Sequence, residues 1–220
     1  MPQRRVPFAL LILDCDGVVV DSEPITLRVL AEMLAELGIS MEAGEAARRF
    51  TGHTFARTLE LIGETLGAPP PPQFAADYRD RTYAAMEKEL RPVAGIEQAL
   101  DRVSIPYCVA SNGPHEKMRK TLGITSLLPR FEGRMFSSAD VARGKPFPDL
   151  FLHAASRFGV PPSACLVIED SAHGIAAALA AGMAVYGYCG TRDGKELLAA
   201  GARGVLRRMS ELPAVAAGAL

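Results

Sequence analysis

The segment Phe8-Ala-Leu-Leu-Ile-Leu13 runs directly into Asp14-Cys15-Asp16-Gly17 and indicates the fold class of this chain. Six consecutive apolar residues are typical of a strand buried on both faces, as in a parallel sheet, because a strand with one wet face alternates apolar and polar residues. In an extended ending Asp14 and Asp16 would point to the same side, so both can face one ligand. The segment therefore predicts a buried parallel strand with two carboxylates at its end.

Four further apolar runs have the same character, and helix-like stretches alternate with them. The runs are Tyr107–Ala110, Cys165–Ile168, Ala184–Tyr188 and the weaker Gly204–Leu206, and the helix-like stretches are 95–103, 116–122, 149–158 and 172–181. Each of the last three stretches stops at a glycine, which is a signal for a helix C-terminus. The alternation predicts an α/β fold built on a doubly wound, mostly parallel sheet.

Residues 22–89 interrupt this alternation with helical signals alone. Ser22-Glu-Pro begins a helix whose apolar residues recur at helical spacing until Gly38, and further helices are predicted near 55–66 and 74–90. We predict an α/β core of residues 1–19 and 90–220 and a small all-helical cap of residues 20–89, inserted after the first strand. Such an insert would lie above the carboxyl end of the strand, where open α/β sheets bind ligands.

Composition and charge exclude several functional classes. With 24 Lys and Arg against 25 Asp and Glu, the 220-residue chain has a formal net charge of -1 and no broad basic field for nucleic acid. Its apolar runs are far shorter than the roughly 20 residues that span a bilayer, so no membrane partner is expected. The four cysteines form no CxxC pair, which disfavours structural zinc, and three lie in or beside strand-like runs as buried thiols of a reducing compartment would. We expect a cytoplasmic protein that is a monomer or a dimer.

Polar side chains follow further strand-like and loop segments. These are Ser111-Asn112, Gly144-Lys145-Pro146 and Glu169-Asp170. A hydroxyl and backbone N–H groups suit phosphate oxygens, a lysine supplies a fixed positive charge, and carboxylates bind Mg²⁺. Each cluster alone has a plain structural interpretation, namely a turn, a solvated lysine, and acids that precede Ser171 as a helix cap. Together with Asp14 and Asp16 they form a set that can hold Mg²⁺ and a phosphoryl group.

These clusters, in this order, resemble the four motifs of the haloacid dehalogenase-like (HAD) superfamily of phosphohydrolases. The matching segments are Asp14–Ser22, Ser111-Asn112, Lys145-Pro146 and Glu169–Gly174. The resemblance covers essentially the whole chain, and the helical insert resembles the C1 cap of the β-phosphoglucomutase and phosphatase branch. Within that branch, Ser111–Pro114 with Lys117-Met118, and Phe151–Ala155, resemble the bacterial 6-phosphogluconate phosphatase group.

The resemblance implies catalytic roles that also have physical reasons. Asp14 would be the nucleophile that forms an aspartyl phosphate, and Asp16 would protonate the leaving oxygen and then accept a proton from water. Lys145 would offset the negative charge of Asp14 and the phosphate. Ser111 and Asn112 would bind phosphoryl oxygens.

The resemblance also implies a Mg²⁺ site. Its ligands would be Asp14, the backbone carbonyl of Asp16, and Asp170, with Glu169 as a direct ligand or a partner held through water. Few carboxylates, retained waters and a substrate oxygen match the coordination that Mg²⁺ prefers. Without a cation, a dianionic phosphate would approach three or four carboxylates, and this repulsion argues for the metal.

Substrate choice is predicted to lie in the cap. Gly52, His53 and Thr54 match the specificity loop of the family, although His53 is equally well interpreted as an exposed histidine. The expected enzyme is a phosphoric monoester hydrolase: a Mg²⁺-dependent phosphatase of a small phosphorylated metabolite, a sugar or sugar-acid phosphate such as 6-phosphogluconate.

Three alternatives remain open. A sugar phosphomutase of the β-phosphoglucomutase type usually has an arginine soon after the cap glycine and a catalytic-loop histidine, where this chain has Phe55 and Thr26. A haloacid dehalogenase would use Asp14 without Mg²⁺ and would not need Asp16 or the Glu169-Asp170 pair. A phospho-aspartate signalling module would keep Asp14 phosphorylated, but Asp16 as a base would promote its hydrolysis.

Overall fold

A computed structural model describes residues 8–41, 43–50 and 55–219 of the chain, and its sheet has six parallel strands. The strands are β1 (Leu10–Leu13), β2 (Tyr107–Ser111), β3 (Met135–Ser137), β4 (Cys165–Glu169), β5 (Ala184–Tyr188) and β6 (Val205–Leu206). Their order in the sheet is β3-β2-β1-β4-β5-β6. The chain therefore winds outward from β1 in one direction and resumes at β4 in the other. The predicted α/β class with a doubly wound parallel sheet is confirmed.

The central strand is buried on both faces, as its continuous apolar sequence predicts. Residues Leu10–Leu13 have no exposed area. In the parallel register Leu13 lies opposite Val109 of β2 and Ile168 of β4. The residues that follow on these three strands therefore come to one edge of the sheet, at the point where the winding direction changes. Open α/β sheets bind ligands at such a switch point.

The helices of the described residues surround this sheet or form a separate group. They are α1 (Glu23–Glu36), α2 (Ala43–Phe50), α3 (Phe55–Leu66), α4 (Phe74–Glu89), α5 (Ile96–Arg102), α6 (His115–Ile124), α7 (Leu128–Phe131), α8 (Asp149–Phe158), α9 (Ala172–Ala180), α10 (Lys195–Ala199) and α11 (Leu212–Ala216). Helix α8 packs on β1, β2 and β3, and α9 packs on β4 and β5. Their buried faces form one apolar cluster with alternate residues of the strands.

The chain divides into two compact units. Ser22–Leu90 forms one unit, and the described residues before Ser22 and after Leu90 form the other. The Ser22–Leu90 unit is helical, and its helix α1 packs against α2 and α4. The guanidinium of Arg28 bridges the carboxylates of Glu32 and Glu89 at 2.7 and 2.8 Å and so ties α1 to the end of α4.

Two elements of the structure are absent from the sequence predictions. Strand β3 has three residues, and its two apolar ones, Met135 and Phe136, lie between Arg134 and Ser137, so no apolar run was recognised. Helix α2 was not predicted because its eight residues, Ala43–Phe50, contain only one large apolar side chain, and the other apolar positions at helical spacing are alanines. The helical unit accordingly has four helices in its described part where the sequence predicts three.

Two compositional features can be compared with the structure. All four cysteines are buried and free of disulfide bonds, as a buried-thiol interpretation predicts. In the described part of the chain, no helix combines the length and the apolar character that a membrane span requires.

Candidate active site

Lys145 and two carboxylates form the buried centre of the site. The main-chain N–H of Asp14 donates to the carbonyl of Ile168, which fixes Asp14 beside the end of β4. The Lys145 ammonium donates to Asp14 Oδ1 at 2.5 Å, to Glu169 Oε1 at 2.5 Å and to the carbonyl of Ala110 at 2.8 Å. An ammonium has three N–H donors, so these contacts use all of them. Lys145 therefore holds the ends of β1, β2 and β4 together.

The electrostatic balance of this centre is negative. Burial raises the pKa of Asp14 to about 7, and the carboxylates of Glu169 and Asp16 act in the same direction against the opposing charge of Lys145. Burial lowers the pKa of Lys145, but Asp14 and Glu169 outweigh it and raise that pKa above its ordinary value. Lys145 is therefore charged at neutral pH, and the site favours a further cation beside Asp14.

Asp170 completes a group of acids that can hold a metal ion. Oxygens of Asp14, Glu169 and Asp170 lie within 4.8 Å of one another. When all three carboxylates are ionised, they outnumber the Lys145 ammonium at the centre of this cluster. Hard carboxylate oxygens and this excess of negative charge fit a divalent cation such as Mg²⁺. At the rim, Arg192 lies 3.3 Å from Asp170 Oδ2.

Gly17 and Gly174 make room for these acids. Gly17 has φ of 80°, a left-handed conformation that suits glycine, and a Cβ there would overlap the Asp170 carboxylate. A Cβ at Gly174 would overlap the Glu169 carboxylate in the same way. Because glycine has no Cβ, the main chain at Gly17 and Gly174 approaches these acids more closely than it could with any other residue at either position.

Ser171 holds Glu169 and begins helix α9. Its hydroxyl donates to Glu169 Oε2 at 3.0 Å and accepts the N–H of Gly174 at 3.1 Å. The second contact makes Ser171 the N-cap of α9, so the interpretation of this residue as a helix cap is confirmed.

Asp16 is paired with a lysine to which the sequence assigns no role. Lys117 Nζ on the first turn of α6 lies 2.8 Å from Asp16 Oδ2, and both side chains are between 25% and 29% exposed. Burial lowers the pKa of Lys117, but the Asp16 carboxylate outweighs it and raises that pKa above its ordinary value. The one sequence signal for Lys117 is its place in the Ser111–Met118 segment.

Ser111 and Asn112 lie at the end of β2. The buried Ser111 hydroxyl accepts the N–H of Gly113 at 3.0 Å. The Asn112 side chain turns toward the main chain of Lys145: Nδ2 donates to its carbonyl at 3.0 Å, and Oδ1 accepts its N–H at 2.8 Å. Asn112 is thus bonded to the loop that carries the lysine.

The structure brings some predicted site residues together and does not describe others. Asp14, Lys145, Glu169 and Asp170 converge at the switch point of the sheet. The predicted cap residues Gly52, His53 and Thr54 lie outside the described residues.

Comparison with known proteins fits this geometry. A family model described as haloacid dehalogenase-like hydrolase matches residues 8–182. This chain belongs to that family. A 6-phosphogluconate phosphatase of Escherichia coli is 32% identical over 189 residues, which are 86% of this chain and 86% of the relative. The predicted family and the predicted enzyme class, a phosphoric monoester hydrolase, are confirmed.

Two solved structures resemble nearly the whole chain. A conserved haloacid dehalogenase-like protein of unknown function from Agrobacterium tumefaciens has a TM-score of 0.89 and 37% identity, with 96% of this chain and 98% of that chain covered. A HAD family hydrolase from Deinococcus radiodurans, crystallised with bound phosphate and sodium, has a TM-score of 0.84 and 33% identity, with 97% and 96% covered.

Proposed function

We propose that this hydrolase is a Mg²⁺-dependent phosphatase of a small phosphorylated sugar or sugar acid, and that it acts through an aspartyl phosphate on Asp14. One observation carries the proposal. The Lys145 ammonium bonds Asp14 and Glu169 at 2.5 Å each, and Asp170 adds a third carboxylate to the same point. A nucleophilic carboxylate, a fixed cation and an acid group that suits a metal are thereby assembled at one sheet edge.

The proposed first step forms the phosphoenzyme. Lys145 holds Asp14 Oδ1 at 2.5 Å, which orients the carboxylate for attack on the phosphorus atom. The new bond joins an Asp14 oxygen to phosphorus, and the bond from phosphorus to the ester oxygen breaks. Asp16 gives its proton to the departing oxygen, which leaves as an alcohol.

The proposed second step returns the free enzyme. Water attacks the phosphorus of the aspartyl phosphate and gives a proton to Asp16, and inorganic phosphate leaves as the bond to Asp14 breaks. In this scheme the Ser111 hydroxyl binds a phosphoryl oxygen. The residues that would hold Mg²⁺ are Asp14, Asp170 and Glu169 with the backbone carbonyl of Asp16. When bound, the ion supplies positive charge to the dianionic phosphate.

The substrate class is proposed from similarity. The Escherichia coli relative is named for 6-phosphogluconate, a phosphorylated sugar acid, and its matched region covers most of both chains. We assign substrate selection to Gly52, His53 and Thr54 of the predicted cap.

A substrate panel tests the proposal. Phosphorylated sugars, sugar acids and nucleotides are assayed for release of inorganic phosphate with Mg²⁺ and with EDTA. We expect inorganic phosphate to be released from sugar or sugar-acid phosphates in the presence of Mg²⁺ and not in the presence of EDTA. Asp14→Asn should lose this activity. Asp101→Asn, the same change of side chain in α5, should retain it. Activity that survives EDTA contradicts the metal assignment, and an isomerised sugar that keeps its phosphate favours the mutase alternative.

A further inference from the structure

We infer that Asn112 is a positioning residue for Lys145 and that its side chain does not bind the phosphoryl group. The inference rests on the proposed function. It changes the role that the sequence suggests for Asn112, because both ends of its amide are already bonded to the main chain of Lys145 at 2.8 and 3.0 Å. We call these two hydrogen bonds the Asn112 clamp.

The clamp fixes the main chain of Lys145, and the contacts of the ammonium fix the other end of its side chain. Lysine has a flexible four-carbon stem, so holding only its ammonium leaves the position of the main chain free. The ammonium of Lys145 donates hydrogen bonds to Asp14, Glu169 and the Ala110 carbonyl. The Asn112 clamp is bonded to the main chain of the same lysine. Lys145 is therefore held at both ends.

Asn112 is itself fixed by the end of β3. The hydroxyl of Ser138 donates to the Asn112 carbonyl at 2.8 Å, and the hydroxyl of Ser137 donates to the Gly113 carbonyl at 2.8 Å. Only one orientation of the amide satisfies both bonds of the clamp, because a flipped amide would place donor against donor and acceptor against acceptor. The clamp thus links the ends of β2 and β3 to the catalytic lysine.

The hydroxyl of Ser111 remains the phosphate-binding side chain of this segment. It accepts the N–H of Gly113, and a hydroxyl that accepts one hydrogen bond retains its own O–H as a donor. Ser111 therefore binds phosphate and Asn112 forms the clamp. Kinetic measurements on variants of each residue can distinguish the two roles.

Gly144 allows the clamp to be disturbed without touching a phosphate ligand. A Cβ at Gly144 would lie 2.6 Å from Asn112 Oδ1 and 2.9 Å from the Ser138 Cβ. Gly144 is not in the left-handed region, so alanine fits its backbone conformation. Gly123→Ala in α6 is the matched control, because a Cβ there meets nothing within 4 Å.

The kinetic test uses p-nitrophenyl phosphate with Mg²⁺ and inorganic phosphate as a competitive inhibitor. We expect Asn112→Ala and Gly144→Ala each to lower kcat by about tenfold or more, as displacement of a catalytic group does, and to raise the Ki of phosphate by a smaller factor. The double variant should lose less than the product of the two single losses, because both changes act on one clamp. Gly123→Ala should match the wild type. A raised Ki with an intact kcat in Asn112→Ala would show direct phosphate binding and overturn the inference.

A structural measurement separates this inference from the proposed function. Crystal structures of Asn112→Ala and Gly144→Ala should show the Lys145 ammonium displaced from Asp14 Oδ1 by about 0.5 Å or more, a shift large enough to impair catalysis. Unchanged contacts of Lys145 in both variants overturn the inference whatever the activity. Failure of the wild type to hydrolyse any phosphate ester removes the proposed function, and the displacement of Lys145 still decides the role of Asn112. If Asn112→Ala does not fold, Gly144→Ala supplies both measurements.

Discussion

Lys117 lies in the site because the fold brings it next to Asp16, although the two residues are distant in sequence. It pairs with Asp16 although the two are 101 positions apart in the sequence. The parallel register of β1 and β2 places the loop after each strand at the same edge, and α6 then presents Lys117 to Asp16. A strand pattern predicts which segments meet, but it does not specify the turn of a helix from which one lysine reaches an acid.

Lys117 is predicted to support proton transfer by holding Asp16. Lys117→Met should lower kcat about tenfold, a part of the roughly 100-fold or greater effect that a general acid contributes. The loss should be larger for alkyl phosphates than for dinitrophenyl phosphate, because a good leaving group needs little protonation. Lys117→Arg should retain part of the rate, and Lys120→Met on the same helix is the control. An equal loss with both leaving groups would contradict a role through Asp16.

We predict that metal binding requires glycine at position 17 for the space beside Asp170 and not only for its positive φ. Gly17→Ala strains a φ of 80° and also drives a Cβ into the Asp170 carboxylate. Gly38 has the same φ of 80° and open space around the added Cβ, so Gly38→Ala isolates the strain. Gly38→Ala should lose about 1 kcal/mol of stability and Gly17→Ala more, and Gly17→Ala alone should bind Mg²⁺ more weakly. Calorimetric titration with Mg²⁺ checks this, and equal affinities would refute it.

At the scale of elements, the strands with long apolar runs are predicted, whereas of the two shortest strands β6 is predicted only from a weaker run and β3 is missed. Strands β1, β2, β4 and β5 have four or five residues in buried apolar runs and were all predicted. Strand β3 has three residues and pairs with β2 at the edge of the sheet. Helix α2 has eight residues, too few for a helix that is stable alone, so its helical state depends on packing such as its contact with α1.

Helix α4 contains a buried hydroxyl that should weaken the helical unit. Thr82 is 5% exposed, and its Oγ1 has no hydrogen-bond partner among the described residues. Thr82→Val keeps the shape and removes the unsatisfied group, so the free energy of unfolding should rise by about 1 kcal/mol. Urea unfolding followed by circular dichroism measures this.

The matched control for Thr82 is Thr65 at the end of α3. Its hydroxyl donates to the Leu61 carbonyl and accepts from Arg49, so Thr65→Val removes satisfied hydrogen bonds. Thr65→Val should leave stability unchanged or lower it. A gain in both variants would indicate a general effect of valine, and no gain in Thr82→Val would show that water satisfies the hydroxyl.

On the scale of the whole molecule, the sheet order explains why the acids meet. Asp14 follows β1 and Glu169 ends β4, and these strands are neighbours although their acids are 155 positions apart in the sequence. The doubly wound class and the resemblance to the HAD motifs predicted this meeting. Neither specified that Lys145 would use all three donors on groups from three strands, or that Asn112 would face the main chain of Lys145. Such contacts depend on loop geometry that the patterns do not contain.

The convergence of like charges at one edge leads to a prediction about the stability of the whole protein. Folding brings Asp14 beside Glu169 and Asp170, which are neighbours in sequence, and the like charges then repel one another, so a cation that binds only the folded site stabilises it. At about 100 times its Kd, Mg²⁺ should add about 2.7 kcal/mol and raise the Tm accordingly. Thermal unfolding with Mg²⁺, against sodium chloride of equal ionic strength, measures the shift. The shift should shrink in Asp170→Asn and persist in Asp101→Asn, and an equal shift in both variants would place the ion elsewhere.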